Sequence, residues 1–253
     1  MLPAHFSRGG RPLIWAHRGA SAEAPENTLA AFALALAQGA DGVELDAQRC
    51  ASGEVVVVHD DSLARTTGHP ALVTATPWAT LRGLDAGGWK GASFRGDRVP
   101  LLAEVLEAFP RLINVELKCD RADDQGLTAE VVRLVRAAGA EDRVLLSSFN
   151  PLCLWRARLL APRIPRAMLF ESAQKWALRS ALAAPLVGAS ALHPESVLAT
   201  PERVARWSRR GYSLACWTVD DPEEAARLHR SGVGGIFTNR PSLMRSRWPE
   251  PAR

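Results

Sequence analysis

The sequence predicts an α/β fold, a (β/α)₈ TIM barrel with a small insertion after the hairpin that holds its second strand. Short apolar or β-branched runs alternate with longer Ala/Leu/Arg runs of helical period, and 253 residues fit one large barrel as well as two average domains. A doubly wound sheet is disfavoured because no GxGxxG turn follows an early strand. We therefore predict one barrel domain over residues 1–253, with an insertion subdomain at about residues 60–110.

Nine runs have the composition of strands, which is one more than an eight-stranded barrel needs. They occupy residues 13–17, 42–48, 55–59, 113–118, 144–147, 167–170, 187–192, 212–219 and 235–238. Only residues 51–53 clearly separate the second run from the third, too few for a parallel crossover, so these two runs form an antiparallel hairpin. A turn centred in these residues pairs Arg49 with Val55 and brings His59 opposite Leu45.

Helices are predicted where apolar residues recur at helical spacing between recognisable start and stop signals. Residues 28–39 begin at a threonine and end at a glycine. Residues 128–140 also stop near a glycine, and residues 222–232 begin at a proline. Alternation of these helices with the strands is what favours a parallel barrel.

The stretch from Asp60 to about Pro110 lacks this regularity and holds several turns. A long irregular segment in a compact fold is usually functional, and here it would form a lid or a subdomain over the site. Trp78, Trp89 and Phe94 offer apolar anchors for this segment. Their presence favours an ordered insertion over a disordered linker.

Two pairs of charged residues stand two positions apart at the ends of predicted strands, Glu44 with Asp46 and Glu116 with Lys118. Residues two apart on a strand share a face, and two carboxylates on a half-buried face are unfavourable unless a cation lies between them. Three acidic oxygen donors suit a hard divalent cation, Mg²⁺ or Ca²⁺, whereas zinc prefers His or Cys ligands. The alternative, exposed acids or ion pairs with arginine, is disfavoured because the pattern recurs at two strand ends.

Two histidines also end predicted strands, His17 the first strand and His59 the second arm of the hairpin. Since the carboxyl ends of barrel strands share one face, both imidazoles are expected beside the acidic residues, one as general base and the other as general acid. Arg18 and Lys118 would bind phosphate oxygens. The pair Asn27–Thr28 is a candidate cap for the first helix, and Asn27 is also a candidate to reach the site. Together these groups fit metal-dependent hydrolysis of a phosphodiester.

Composition and charge argue against several other kinds of protein. The net charge is only +4 and the arginines are scattered, so no nucleic-acid partner is expected. The cysteines form no CxxC pair, which disfavours a zinc site or a disulfide framework. The N-terminal residues lack the apolar core of a signal peptide, and no run approaches the ~20 apolar residues of a membrane span. We therefore expect a cytoplasmic protein without stable membrane insertion.

Five motifs spread over residues 13–241 carry a resemblance. They are AHRGASAEAPENT, GADGVELDAQRCASGEVVVVHDDSLARTTG, NVELK, CWTVDD and GIFTNRP. In this order and spacing they resemble the glycerophosphodiester phosphodiesterase family of the bacterial cytoplasmic type. The resemblance implies a (β/α)₈ barrel with a small insertion after His59. It also implies hydrolysis of a small-molecule glycerophosphodiester to sn-glycerol 3-phosphate and an alcohol such as choline or ethanolamine.

The resemblance further implies how the charged residues divide the work. A divalent cation would be held by Glu44, Asp46 and Glu116. The general acid and base would be His17 and His59. In the family the 2-hydroxyl of the glycerol is thought to attack first and to give a cyclic phosphate, and the sequence does not distinguish this route from direct attack by water.

Substrate contacts are implied at three further positions. Arg18 and Lys118 would contact the phosphate, and Trp217 would line the glycerol pocket. The chain departs from the family's usual pattern at Leu102, where threonine is common, and at Asn239, where aspartate is common. Neither residue is expected to touch the metal or the histidines.

A related barrel enzyme that acts on lipids is the main alternative, either a lysophospholipase D or a phosphoinositide-type phospholipase C. Such an enzyme needs an apolar landing surface near the barrel mouth, for which Trp78, Trp89 and Phe94 are candidates. A non-catalytic barrel is disfavoured because the histidines and the acidic residues are all retained. Whether the insertion pairs two chains into a homodimer is not decided by the sequence.

Overall fold

Eight parallel strands close into a barrel in the computed structural model, which describes residues 9–174 and 181–249 together with residues 3 and 6. The strands in chain order are β1 (Leu13–His17), β2 (Gly42–Arg49), β3 (Val55–Val57), β4 (Leu112–Leu117), β5 (Val144–Ser148), β6 (Arg166–Phe170), β7 (Ala191–Pro194), β8 (Ser213–Cys216) and β9 (Gly235–Thr238). Strand β1 pairs with both β2 and β9, which closes the barrel. The predicted TIM barrel is thus confirmed.

Strand β3 is the ninth strand and lies outside the barrel. It pairs antiparallel with β2, with Arg49 opposite Val55 and Ala47 opposite Val57. The pairing continues beyond β3, where the Val58 amide donates a hydrogen bond of 2.9 Å to the Asp46 carbonyl. This is the predicted hairpin register, and it carries the chain toward the barrel mouth just before His59.

Helices cover the outside of the barrel. In the part of the chain that the structure describes they are, in order, α1 (Leu29–Ala37), α2 (Ala64–Thr67), α3 (Trp78–Leu81), α4 (Leu102–Ala108), α5 (Leu127–Ala137), α6 (Pro151–Leu160), α7 (Pro201–Arg209), α8 (Pro222–Arg230) and α9 (Pro241–Arg247). The predicted helices 28–39, 128–140 and 222–232 correspond to α1, α5 and α8. All three end just before a glycine with positive φ, Gly39 at 78°, Gly139 at 59° and Gly232 at 105°, because that conformation ends a helix.

Two predicted strands are misplaced. The run 187–192 was expected to be a strand, but Val187 closes a turn in which its amide donates to the Ala183 carbonyl, and β7 begins only at Ala191. Val187 is buried against the outer helices, so its apolar character reflects the helical layer and not the sheet. The run 212–219 is likewise too long, since β8 ends at Cys216.

The barrel interior is apolar at the amino ends of the strands and charged at their carboxyl ends. Trp15 stacks between Phe6 and Phe237, with ring centroids 6.3 and 5.9 Å away. The same buried cluster includes Leu13, Leu112, Leu145, Ala167, Ala191 and Ala215. The acidic residues of β2 and β4 therefore lie above a packed floor, at the end of the barrel where such folds place their active sites.

Between β3 and α4 the chain forms short helices around a small core of its own. Besides α2 and α3, this stretch contains two 3₁₀ turns, Val73–Ala75 and Ala92–Phe94. Leu63, Val73, Leu81 and Val99 pack there against the outer side of the hairpin. The predicted insertion at about 60–110 also contains α4, whose residue Leu102 is buried in the outer layer of the barrel.

Within residues 9–174 and 181–249, every helix is too short or too polar to cross a lipid bilayer.

Asp41 links the chain around β1 to the last helix, α9, and these contacts give a test of the fold. Its buried carboxylate accepts two hydrogen bonds from Arg11 (2.6 and 2.8 Å) and one from the Ile14 amide (2.9 Å), and it lies 3.5 Å from Arg245 of α9. Asp41→Asn removes the buried negative charge that faces Arg11 and Arg245. We therefore expect the free energy of unfolding to fall by about 3 kcal/mol in urea titrations. The exposed Asp61→Asn is the control, with a change below about 0.5 kcal/mol; equal effects in both variants would contradict the role of Asp41.

Candidate active site

A pocket of about 370 Å³ opens at the carboxyl ends of the strands. Seven of the nine predicted site residues line it, namely His17, Arg18, Glu44, His59, Glu116, Lys118 and Trp217. Asp46 and Asn27 are outside this lining and are buried, with 1% and 3% of their surfaces exposed. Both nevertheless contact the site, Asp46 through Arg18 and Asn27 through Asp46.

The three predicted acidic ligands form one buried cluster. Each of Glu44, Asp46 and Glu116 offers a carboxylate oxygen, and these oxygens lie within 4.8 Å of one another. Parallel pairing explains the convergence, because Asp46 is in register with Glu116 on the neighbouring strand. The strand sequence therefore brings together groups separated by about 70 residues of chain.

The charges of this cluster are only partly compensated by the protein itself. Burial and the neighbouring carboxylates raise the pKa of Glu44 well above its usual range and raise that of Glu116 to about 7. Burial also opposes ionisation of Asp46, but Arg18 and Lys118 outweigh it and hold that pKa below its ordinary value. Oxygen donors that repel one another in this way fit a hard divalent cation.

Arg18 is aimed at the acidic cluster by a left-handed turn. Its φ is 57°, unusual for a residue with a side chain, and its amide donates to Glu44 Oε2 at 3.0 Å. The guanidinium lies with Nε 3.3 Å from Asp46 Oδ2 and donates from Nη1 to Glu26 Oε1 at 3.0 Å. Lys118 approaches from the other side, with Nζ 3.4 Å from Glu116 Oε1. Two cations thus flank the acidic residues.

Asn27 orients Asp46, while its neighbour caps the helix. The Asn27 amide donates from Nδ2 to Asp46 Oδ2 at 2.8 Å, and its Oδ1 accepts from the Asp46 backbone amide at 3.3 Å. The cap of α1 is Thr28, whose Oγ1 accepts from the Ala31 amide at 3.2 Å. Of the two predicted roles, the helix cap therefore belongs to Thr28, and Asn27 reaches the site through Asp46.

His17 is held as a neutral ring with its Nε2 directed to the acidic residues. Its Nδ1 lies 2.8 Å from Asn239 Oδ1, and Nε2 lies 4.0 Å from Glu44 Oε2. Asn239 donates from Nδ2 to Asp220 at 2.7 Å, so its oxygen faces His17 and accepts the Nδ1 proton. Burial, assisted by the charge of Arg18, lowers the pKa of His17 to about 4. The lone pair of the neutral ring therefore lies on Nε2.

The expectation that Asn239 touches neither histidine is wrong. Asn239 follows β9, and β9 pairs with β1 only because the barrel closes, which brings the residue beside His17 at the end of β1. A separation of 222 positions hides this contact from any local pattern. Leu102, the other departure from the family pattern, is buried in the outer layer away from the pocket lining.

His59 is anchored by the next residue in the chain. Its Nδ1 lies 2.7 Å from Asp60 Oδ1, and hydrogen bonding from Arg65 holds the pKa of Asp60 down to about 2. A charged carboxylate can only accept a hydrogen bond, so Nδ1 of His59 carries the hydrogen and donates it to Asp60. The other ring nitrogen, Nε2, is then free for chemistry. Sequence reasoning missed Asp60 as a site residue, although its adjacency to His59 was a visible signal.

The half of the mouth opposite the acidic cluster is aromatic. Trp217 donates from Nε1 to the His193 carbonyl at 2.8 Å, which fixes the indole ring. Phe149 meets this ring edge-on, with centroids 5.5 Å apart. Leu169 and Phe237 complete an apolar wall. Phe149 was not predicted, because nothing in its local sequence distinguishes it from a core aromatic residue.

Comparison with known proteins agrees with this geometry. The model of the glycerophosphoryl diester phosphodiesterase family matches residues 17–243. A glycerophosphodiester phosphodiesterase of Caldanaerobacter subterraneus subsp. tengcongensis is 35% identical over 92% of this chain and 96% of its own. A probable glycerophosphodiester phosphodiesterase 1 of Mycobacterium tuberculosis is 34% identical over 96% of this chain and 94% of its own.

Solved structures of related proteins share the same barrel. An Oleispira antarctica phosphodiesterase, solved in complex with the product sn-glycerol-3-phosphate, superposes with a TM-score of 0.87 at 32% identity. The superposition covers 94% of this chain and 96% of that one. The chain therefore belongs to the glycerophosphodiester phosphodiesterase family, whose members are phosphoric diester hydrolases.

Proposed function

We propose that the protein hydrolyses glycerophosphodiesters to sn-glycerol 3-phosphate and an alcohol, with a divalent cation bound at the acidic cluster and two histidines exchanging protons. One observation carries this proposal: His17 and His59 line the same pocket as Glu44 and Glu116, and each ring is anchored at Nδ1 so that Nε2 is free. The product seen in the Oleispira relative supports the substrate class.

His17 is the general base in this proposal. A neutral imidazole with its lone pair on Nε2 accepts the proton of the attacking hydroxyl, whether that is the glycerol 2-hydroxyl or water. The amide oxygen of Asn239 holds the required tautomer and carries no charge. Burial beside Arg18 keeps the ring unprotonated at neutral pH until the hydroxyl approaches.

His59 is the general acid that protonates the leaving alcohol. The carboxylate of Asp60 contacts the ring at Nδ1 and holds its orientation. The ring of His59 is also more open than that of His17, with 31% of its side chain exposed against 19%. This exposure suits a group that must regain a proton from solvent after each turnover.

Charge at the phosphate is balanced from two sides. Arg18 and Lys118 line the pocket and would donate to the non-bridging phosphate oxygens, and Trp217 would offer a flat wall for the glycerol carbons. Glu44, Asp46 and Glu116 would hold the cation, Mg²⁺ or Ca²⁺. When bound, the cation polarises the phosphoryl group and offsets its developing charge.

Replacement of either histidine tests the acid–base assignment. We expect His17→Ala and His59→Ala each to lower kcat for glycerophosphocholine by about 100-fold or more, because each removes one proton transfer. The circular dichroism spectrum should not change. His229→Ala on α8, away from the pocket lining, is the matched control and should retain activity. Near-wild-type turnover in either variant would remove that histidine from the mechanism.

Chelation tests the cation. Excess EDTA should abolish turnover, and Mg²⁺ or Ca²⁺ should restore it, because the acidic cluster is otherwise uncompensated. Bound cation should also raise Tm, since a ligand at about 100 times its Kd stabilises the folded state by about 2.7 kcal/mol. Glu116→Gln should lose both effects, whereas Glu107→Gln, an exposed acid of α4, should keep them. Full activity in excess EDTA would contradict the proposed cation.

A pair of substrates distinguishes the glycerophosphodiester from the lipid alternative. Among the described residues, fifteen line the pocket; eleven of them are charged or polar, and the four apolar ones form one wall, to which we assign the glycerol carbons rather than an acyl chain. We expect kcat/KM for glycerophosphocholine to exceed that for lysophosphatidylcholine by about tenfold or more, equivalent to about 1.4 kcal/mol of transition-state binding. The reverse preference would identify a lysophospholipase D.

A further inference from the structure

Arg65 lies outside the barrel, but it contacts two loops of the mouth, one that carries the proposed phosphate-binding residue and one that carries the proposed proton donor. It belongs to α2, the first helix after β3. Its guanidinium contacts two carboxylates, Glu26 from the loop after β1 and Asp60 from the end of the hairpin. These two loops carry Arg18 and His59 respectively, and they are neighbours only in the folded protein.

In the loop after β1, Arg65 binds the carboxylate of Glu26, which also binds Arg18. Its Nη1 and Nη2 donate to the two oxygens of Glu26, both at 2.8 Å. Oxygen Oε1 of Glu26 also accepts from Arg18 Nη1 at 3.0 Å. Glu26 has 12% of its side chain exposed, so it is held between two guanidinium groups. Loss of Arg65 would release the second oxygen of this carboxylate and leave Arg18 with a less firmly held partner.

Toward the second loop, Arg65 holds the carboxylate that anchors His59. Its Nε donates to Asp60 Oδ2 at 2.6 Å, while the other oxygen of Asp60 faces His59 Nδ1 at 2.7 Å. A carboxylate fixed at one oxygen cannot rotate away from the ring that bonds the other. The imidazole is thereby held in one tautomer and one orientation.

Only an arginine can make this set of contacts. All three guanidinium nitrogens of Arg65 donate to carboxylates, two to Glu26 and one to Asp60. A lysine has the same charge but lacks the planar fork, so it cannot keep both carboxylates at these angles. The Trp89 ring supports the fork, with its centroid 5.9 Å from the Arg65 Cζ.

Exposure limits what the Arg65–Asp60 pair of this network contributes to stability. Arg65 has 43% of its side chain exposed and Asp60 has 30%. Exposed ion pairs contribute little to the free energy of unfolding, since water and salt screen them. An arrangement of three fixed donors on two loops is therefore better explained by orientation of what those loops carry.

We propose that Arg65 is a positioning residue that sets the orientation of His59 through Asp60 and of Arg18 through Glu26. The proton-donating imidazole and the phosphate-binding guanidinium are thereby directed to the same substrate. This rests on the proposed function for the roles of His59 and Arg18. Small displacements of such groups have large effects on rate, because the reacting atoms must meet within a fraction of an ångström.

Kinetics on the full-length enzyme test the proposal. We expect Arg65→Lys and Arg65→Met to lower kcat/KM for glycerophosphocholine by about tenfold to 100-fold, with no rescue by lysine despite its charge. Arg95→Met, at an exposed arginine of the same segment, is the control and should stay within about twofold of wild type. Wild-type kcat/KM in Arg65→Lys would overturn the proposal.

Double variants separate positioning from general loss of structure. Asp60→Asn alone should lower mainly kcat, because Asp60 anchors the proton donor His59. Glu26→Gln alone should raise mainly KM, because Glu26 anchors the phosphate-binding Arg18. Arg65→Met should lower kcat by less than about threefold further in the Asp60→Asn background, and should raise KM by less than about threefold further in the Glu26→Gln background, since the contact through which it acts is already broken. Effects that multiply independently would show that Arg65 does not act through these carboxylates.

Nuclear magnetic resonance gives a readout that does not need turnover. In ¹⁵N-labelled, EDTA-treated wild-type protein at a pH high enough for the ring to be neutral, His59, assigned with His59→Ala, should carry its proton on Nδ1 alone. Arg65→Met and Asp60→Asn should both show a mixture of tautomers, and an unchanged tautomer in Arg65→Met would refute the proposal. Should the wild-type enzyme fail to hydrolyse glycerophosphodiesters, the proposed function fails, while this comparison still decides the role of Arg65.

Discussion

Three buried carboxylates lie together at the carboxyl ends of the barrel strands. Their negative charge is the constraint to which the other side chains of the mouth respond. Pairing of β2 with β4 fixes Asp46 beside Glu116, and Glu44 lies two residues away on the same face. Water is largely excluded from all three, so their joint ionisation requires opposite charge nearby. The strained turn at Arg18 is a consequence of this constraint, because it carries a guanidinium into contact with the cluster.

The two histidines differ in what anchors them, and that difference distinguishes the chemical roles that we propose for them. His17 is bonded to an amide oxygen, which fixes a tautomer without favouring the imidazolium. His59 is bonded to a carboxylate, which holds the ring through a charged partner. Two histidines of one pocket with partners of different charge are the arrangement expected of an acid and base pair. The barrel wall supplies the first environment and the hairpin with its following segment supplies the second.

The sequence predicts those features that depend on short stretches of chain. The hairpin register and the shared face of Glu44 and Asp46 follow from spacings of a few residues, so the order of the amino acids is enough to derive both. Asn239 could not be assigned in this way, because its contact with His17 exists only once β9 closes against β1. Val187 was misplaced for a related reason, since the hydrophobic pattern does not distinguish a strand from a helical turn buried on the barrel wall.

Formal charge explains why a cation and an anionic substrate belong together in this mouth. Glu44, Asp46 and Glu116 carry three negative charges when ionised, and Arg18 with Lys118 returns two, so the bare site is negative and repels a phosphodiester. A divalent cation would change the formal charge of these five residues to a single positive charge, which a singly charged phosphodiester would then neutralise. The raised pKa values of the two glutamates express the same imbalance. Substrate affinity is therefore expected to depend on the cation even before any bond is broken.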